Sequence, residues 1–198
     1  MWMKSRDSWP YLLFSIAALG GAGIALLELA LMQAQSPAQL GELWRWYHVP
    51  LFVLISALVW FVRFDLQAGR LWLAWLVTGL RILVLILTFS LDPNLNFIEI
   101  TGLRAIPVLG ETIVVPVGEK NPWTNITNAS SILFLIFVLD AAFSAWRRGH
   151  RQRATVIGIT FGIAISVGFI LSEMLNRSIL PVPFTLSVPF LIILAGIA

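Results

Sequence analysis

Six runs of mainly apolar residues, near 10–32, 49–66, 71–90, 128–146, 154–175 and 180–198, dominate this chain. A helix crossing the hydrocarbon core needs roughly 20 such residues, and a helix satisfies its own backbone where no water is present. The pattern predicts an all-α integral membrane protein, a single bundle over 1–198 with six transmembrane helices. Of the 198 residues, 59% are hydrophobic and 12% charged, against roughly a quarter charged in a soluble domain. The last run opens on Pro181-Val182-Pro183, and proline suits a helix start better than its middle.

One stretch does not read as membrane. Residues 92–123, DPNLNFIEITGLRAIPVLGETIVVPVGEKNPW, separate the third and fourth runs. Asp92-Pro93-Asn94 is turn chemistry that stops the third helix. Phe97 to Thr101 alternates, with Ile98 and Ile100 on one face and Glu99 on the other, and Thr112 to Val117 is β-branched apart from Pro116. Two short strands joined through Gly102–Gly110 are expected, with Pro116 confining its strand to an edge. A structureless connection of this length is unusual in a compact protein. The segment is therefore read as a small ordered extracytoplasmic cap. Its candidate cap or docking residues are Asn94, Asn96, Glu99, Arg104, Glu111, Asn121 and Trp123. A ligand lid, a docking surface and a plain plug all fit this pattern.

Basic residues set the expected orientation. Lys4, Arg6, Arg63, Arg70, Arg147, Arg148, Arg151 and Arg153 fall on one side, and Arg45, Arg104, Lys120 and Arg177 on the other. The richer side should be cytoplasmic, with both termini there and residues 92–123 outside. This asymmetry accounts for the net charge of +3 without nucleic acid. The tryptophans cluster near helix ends, as interfacial anchors do. Small residues line helix 1 (Ala17, Gly20, Gly21, Gly23, Ala25) and helix 5 (Gly158, Gly162, Ala164, Gly168), which suits close packing within the bundle, with a dimer interface as the alternative. Residues 33–48 read as an outer loop with a short interfacial helix. The end of helix 2, FVRFDLQAGR, reads as a helix projecting from the bilayer until Gly69.

The chemistry of a catalyst is not legible. The chain has no cysteine, and its two histidines, His48 and His150, fall at opposite faces. No metal site, cofactor motif or phosphate-binding loop is present in the pattern, and a non-enzymatic role is expected. The informative charges lie inside the apolar runs. Arg81 is mid-helix, and an ionisable group at that depth costs at least about 2.5–3.5 kcal/mol, so it should face inward with a partner. Asp140 on helix 4 is the expected partner, and Glu28 and Glu173 lie near the outer ends. These four form a candidate polar core, responsive to protons or a ligand. The plain alternative is a structural ion pair with two interfacial carboxylates.

The runs HVPLFVLISALVWFVR (48–63), LWLAWLVTGLRILVLILTF (71–89), PNLNFIEITGLRAIPVLGE (93–111), NPW (121–123) and FVLDAAFSAWRRGHRQRA (137–154) resemble one bacterial group. It is the multi-helix membrane input region at the N-terminus of certain PAS-containing sensor histidine kinases. The likeness runs from about residue 11 to the end and is most specific in PNLNFIEITGLR and NPW. Such kinases carry one more helix before this first one and continue into cytoplasmic signalling domains. No kinase histidine box or ATP-binding glycines occur in these residues, so kinase activity does not carry over. The resemblance implies a sensory module in a bacterial inner membrane, taking a partner or an apolar ligand such as a quinone or lipid. The alternative is an accessory subunit of a larger membrane complex, docking through the cap and the small-residue faces. A transporter fits less well, because no inverted repeat or broken helix pair is evident.

Overall fold

Ser36 and Pro37 start the longest helix. The Ser36 hydroxyl accepts the Gln39 backbone N–H at 3.2 Å, and the Gln39 side chain in turn accepts the Gln35 N–H at 2.8 Å. This reciprocal cap, with proline in the first turn, makes the short helix expected within 33–48 continuous with the second apolar run. In the computed structural model, which describes residues 9–108, 111–176 and 187–197, the helix runs unbroken from there to Asp65. The chain forms α1 (Trp9–Met32), α2 (Pro37–Asp65), α3 (Leu71–Ser90), strands β1 (Phe97–Val108) and β2 (Glu111–Lys120), then α4 (Thr124–Arg147), α5 (Arg151–Asn176) and α6 (Ser187–Ile197).

Five of these helices, α1 to α5, are long and apolar enough to cross a membrane, with one span drawn as Arg151–Leu171. Large apolar side chains on their outer faces, including Leu19, Leu26, Trp72 and Phe143, are exposed. Continuous apolar surface of this kind belongs against lipid. The fold is that of a multi-pass membrane protein, mostly helical but carrying a two-stranded antiparallel sheet, so all-α describes the bundle and not the cap. The described part of α6 has 11 residues, and Pro181 to Pro183 and Arg177 lie outside the described residues.

The strands are longer than the sequence suggests. They pair from Phe97 with Lys120 to Val108 with Glu111, with irregularities at Phe97/Glu99 and Ile100/Gly102. Gly102 therefore lies inside β1 and not in a connecting loop. The bulges absorb residues that read as breakers. Pro107 and Pro116 are tolerated because each strand of a two-stranded sheet has a free edge. At Gly118 the Glu99 carbonyl occupies the place of a Cβ, so the bulge requires glycine there.

Pro50 lies within α2. It has no N–H for the carbonyl one turn earlier. Helix α1 packs on this turn: a Cβ on Gly20 would lie 2.9 Å from the Leu54 nitrogen and 3.0 Å from the Pro50 oxygen, and one on Gly23 3.0 Å from Pro50 Cβ. Gly21 faces the Phe190 ring of α6. The small-residue face of α1 is thus used inside the bundle. Gly158 packs on Ala142, whereas Gly162 has open space beside it.

At one end of the bundle the two basic turns meet. Helix α2 stops at Asp65, earlier than expected, because Gln67 and Gly69 take positive φ angles of 47° and 91°. Arg63 folds back onto the Ala68 carbonyl at 3.4 Å, and Arg148 of the α4–α5 turn donates to the Gln67 carbonyl at 2.9 Å. Trp9, Phe64, Trp60 and Trp75 contact one another in that order at this end, with centroids 4.8–6.4 Å apart. Trp46 and Phe89 meet at 5.4 Å near the hairpin end. The rings form belts at both ends of the helices.

Replacing Gly20 by alanine should destabilise the protein by about 1–3 kcal/mol, since its Cβ meets backbone that cannot yield. Gly79→Ala, with nothing within 4 Å of the new atom, should be neutral or stabilising. Thermal melting of both variants in the same detergent checks the contrast.

Candidate functional site

The base of the hairpin is fixed by side-chain amides. Asn94 is fully buried; its Nδ2 donates to the Gly41 carbonyl at 3.1 Å, and its Oδ1 accepts the Asn96 and Phe97 N–H groups at 2.8 and 3.1 Å. Asn121 accepts the Trp123 N–H at 3.1 Å, its own N–H meets the Asn96 carbonyl at 3.0 Å, and Thr124 bonds the Leu95 carbonyl at 3.2 Å. Arg45 of α2 donates to the carbonyls of Pro93 and Leu91 at 2.8 and 3.3 Å and to the Asp92 carboxylate at 3.3 Å. Both ends of the hairpin are thereby pinned to the start of α4 and the outer part of α2. Residues of Pro93–Asn96 and Asn121–Trp123 build this anchorage.

Beneath the hairpin lies a cavity of about 1260 Å³. Its walls come from α1, α2, α4, α5 and α6, with Arg81 of α3 at one side and β2 across the top. Most of the lining is apolar, as in Leu51, Leu58, Phe134, Ala164, Phe190 and Ile193. Half-exposed Ile132, Phe169 and Ile170 also line it, so the cavity reaches the lipid-facing surface at α4 and α5. At the other extreme it is blind. Phe134 packs edge-on against Phe161 at 6.1 Å, and Phe161 stacks on Phe61 at 6.5 Å. Fully buried Phe137, Val138, Ala141 and Ala145 continue this dry packing toward the basic end.

Polar groups enter the wall between these apolar side chains, Arg81, His48 and Glu28 among them. Arg81 is buried, and its Nη2 donates to the Ser131 hydroxyl at 2.7 Å. That hydroxyl spends its own hydrogen on the Thr127 carbonyl at 3.0 Å, which orients its lone pair toward the arginine. His48, also buried, places Nδ1 2.9 Å from the Trp44 carbonyl. Nδ1 must therefore carry the proton, and a neutral ring leaves Nε2 as an acceptor. Glu28 accepts the Tyr47 hydroxyl at 3.0 Å and the Ser187 hydroxyl.

The expected Arg81–Asp140 pair does not form. Asp140 lies nine residues beyond Ser131, a rise of about 13 Å along α4, which no arginine spans. It serves the start of α3 instead, accepting the Arg70 backbone N–H at 2.9 Å and facing Arg70 Nε at 3.5 Å. Arg70 gives α3 no side-chain cap of its own, and a carboxylate at a helix N-terminus is favoured by the exposed N–H groups there. Expecting only a small offset between the two helices misplaced this residue. Glu28 does lie in the cavity wall, as does Arg104 from above. Glu99 is exposed on the hairpin and Trp123 is exposed at its foot. The side chains of Glu111 and Glu173 lie outside the described residues.

His48, Tyr47, Thr127 and Ser131 escaped the sequence reading. For the first two the signal was available: Trp44 and His48 are four apart, but only once 33–48 is read as helix do they share a face.

No protein-family model matches the chain, and no curated protein or solved structure matches it significantly.

A double-mutant cycle distinguishes the two partners of Asp140. Asp140→Ala should cost about 1–2 kcal/mol, as loss of a helix cap does. Its coupling with Arg70→Ala should be about 0.5–1 kcal/mol, whereas Arg81→Ala should add independently to within roughly 0.5 kcal/mol. Asn94→Ala should raise hydrogen exchange across 97–120 selectively, because it releases three bonds at the hairpin base.

Proposed function

We propose that this chain is a non-catalytic sensory module that takes a lipid-soluble ligand into the cavity beneath the hairpin. The observation that carries the reading is the form of the cavity: blind, mainly apolar, reaching the lipid-facing surface, and polar at Arg81, His48 and Glu28. Ligand sites commonly combine an apolar wall with a few placed polar groups. The resemblance of 48–63, 93–111 and 121–123 to the input region of sensor histidine kinases supports the same role. The concentration of Arg63, Arg70, Arg147, Arg148, Arg151 and Arg153 at the end opposite the hairpin supports a cytoplasmic location for that end. In this reading the protein crosses a bacterial inner membrane six times with both termini cytoplasmic, the segment 180–198 supplying the last crossing.

A second reading is an accessory subunit of a larger membrane complex. Ile98 and Val117 favour it, being 46% and 45% exposed on a hairpin beyond the helix ends.

Gentle solubilisation from native membranes followed by mass spectrometry tests both. A retained lipid-soluble molecule, without stoichiometric protein, supports the sensor. A fixed protein partner with an empty cavity supports the subunit and removes the sensor reading.

A further inference from the structure

We infer that the ligand is an acidic amphiphile, an alkyl chain with an anionic oxygen head held at Arg81. The inference rests on the cavity being a ligand site, and adds the chemistry of what enters it.

The hydrogen-bond ledger of the wall has one sign. Among the described residues that line the cavity, the buried side-chain nitrogens and oxygens without a partner are Arg81 Nε and Nη1, Asn96 Nδ2 and Thr127 Oγ1. Each of these atoms can donate, and the guanidinium can only donate. The Ser131 hydrogen is already spent on Thr127. Two of the guanidinium nitrogens, Nε and Nη1, are thus donors left without an acceptor.

The charge on Arg81 has no matching anion. Glu28 is the one carboxylate in the lining among the described residues. Glu28 receives the Tyr47 and Ser187 hydroxyls. Arg81 has no carboxylate within ion-pair distance among the described residues, and Ser131 is a neutral partner. A guanidinium held at mid-membrane depth with a single neutral hydrogen bond is a charge awaiting its counter-ion.

The guanidinium geometry suits an oxygen acid. Nη2 carries two hydrogens and Ser131 takes one. The other remains paired with a hydrogen of Nη1 or with that of Nε, which leaves one two-pronged edge for a carboxylate or phosphate. A neutral carbonyl would use one prong and leave the charge uncompensated. The tail has its place along Leu51, Leu58, Phe134 and Ile193, and the lipid-facing side at Ile132, Phe169 and Ile170 provides a way in. At about 1260 Å³ the volume exceeds the roughly 300–1,000 Å³ of ordinary ligand sites, as a long chain requires.

Free fatty acids and anionic phospholipids share this chemistry. The test uses the full chain in nanodiscs of phosphatidylcholine, with binding of palmitate, hexadecanol and decyl-ubiquinone read by tryptophan fluorescence and native mass spectrometry. Palmitate should bind about tenfold or more tightly than hexadecanol, the same chain without the charge. Arg81→Gln should abolish that preference, and Arg81→Lys should keep part of it. Displacement of palmitate by phosphatidylglycerol identifies a phospholipid as the source; failure to displace it identifies a free acid. Equal binding of hexadecanol, tighter binding of decyl-ubiquinone, or palmitate binding unchanged in Arg81→Gln overturns the inference while leaving the cavity a ligand site. Binding of none of these molecules overturns both. The wild-type comparison of palmitate with hexadecanol stands even if an Arg81 variant fails to fold.

Discussion

Within the hydrocarbon core no water is available to satisfy a polar group, so each one must be answered by the protein. Everything unusual in this fold follows from how that demand is met. The five long helices close their own backbone bonds, and their outer faces are mainly apolar. Pro50, which cannot complete the ladder, sits where Gly20 and Gly23 bring α1 against the same turn. Glu28 takes two hydroxyls, one from α2 and one from α6, and so ties three helices at one point. At Arg81 the demand is only partly met, and Arg81 lines the cavity beneath the hairpin.

The hairpin meets the same demand by another route. Two strands alone are marginal in water, and a hairpin resting on helices needs more than its own ladder. Here the turns at its base do that work. Asn94 spends its amide on the Gly41 carbonyl and its oxygen on two N–H groups of its own turn. Arg45 then collects carbonyls that end α3. Rigid anchorage at the base keeps β2 over the cavity mouth, where Ile113 and Val114 belong to its lining.

Where sequence and structure agree, a single dominant signal was present. The third helix, 71–90, has apolar residues throughout, a glycine before it and Asp92-Pro93 after it, so its bounds were legible to the residue. The region 33–48 was not legible, because its charged and aromatic residues resemble an interfacial loop while Ser36, Pro37 and Gln39 cap a helix. That one reading hid His48 and Tyr47 from the candidate site. Asp140 was misplaced for a different reason. Hydropathy fixes which residues cross the bilayer but not how far one helix slides along its neighbour, and sliding α4 relative to α3 decides whether Asp140 meets Arg81 or Arg70. Glu28 and Arg81 were legible because a charge in an apolar run has few innocent explanations.

The blind end of the cavity bears on what kind of membrane protein this is. A carrier must offer its substrate two exits in turn, and a channel must offer both at once. Here Phe61, Phe134 and Phe161 pack together on the inner side, and Phe137, Val138 and Ala141 lie fully buried beyond them. A passage along this line would have to part these buried aromatic contacts, and close-packed interiors resist that. In the proposed sensor, an occupant of the cavity would act at the far end by moving helices. Helix α4 is placed to do so, since Ser131 holds Arg81 at the cavity while Asp140, nine residues on, holds the start of α3 and Arg148 holds the α2–α3 turn. A helix is stiff over that distance, so a displacement at Ser131 arrives at both contacts. The residue first paired on paper with Arg81 is thus connected to it after all, through the helix between them.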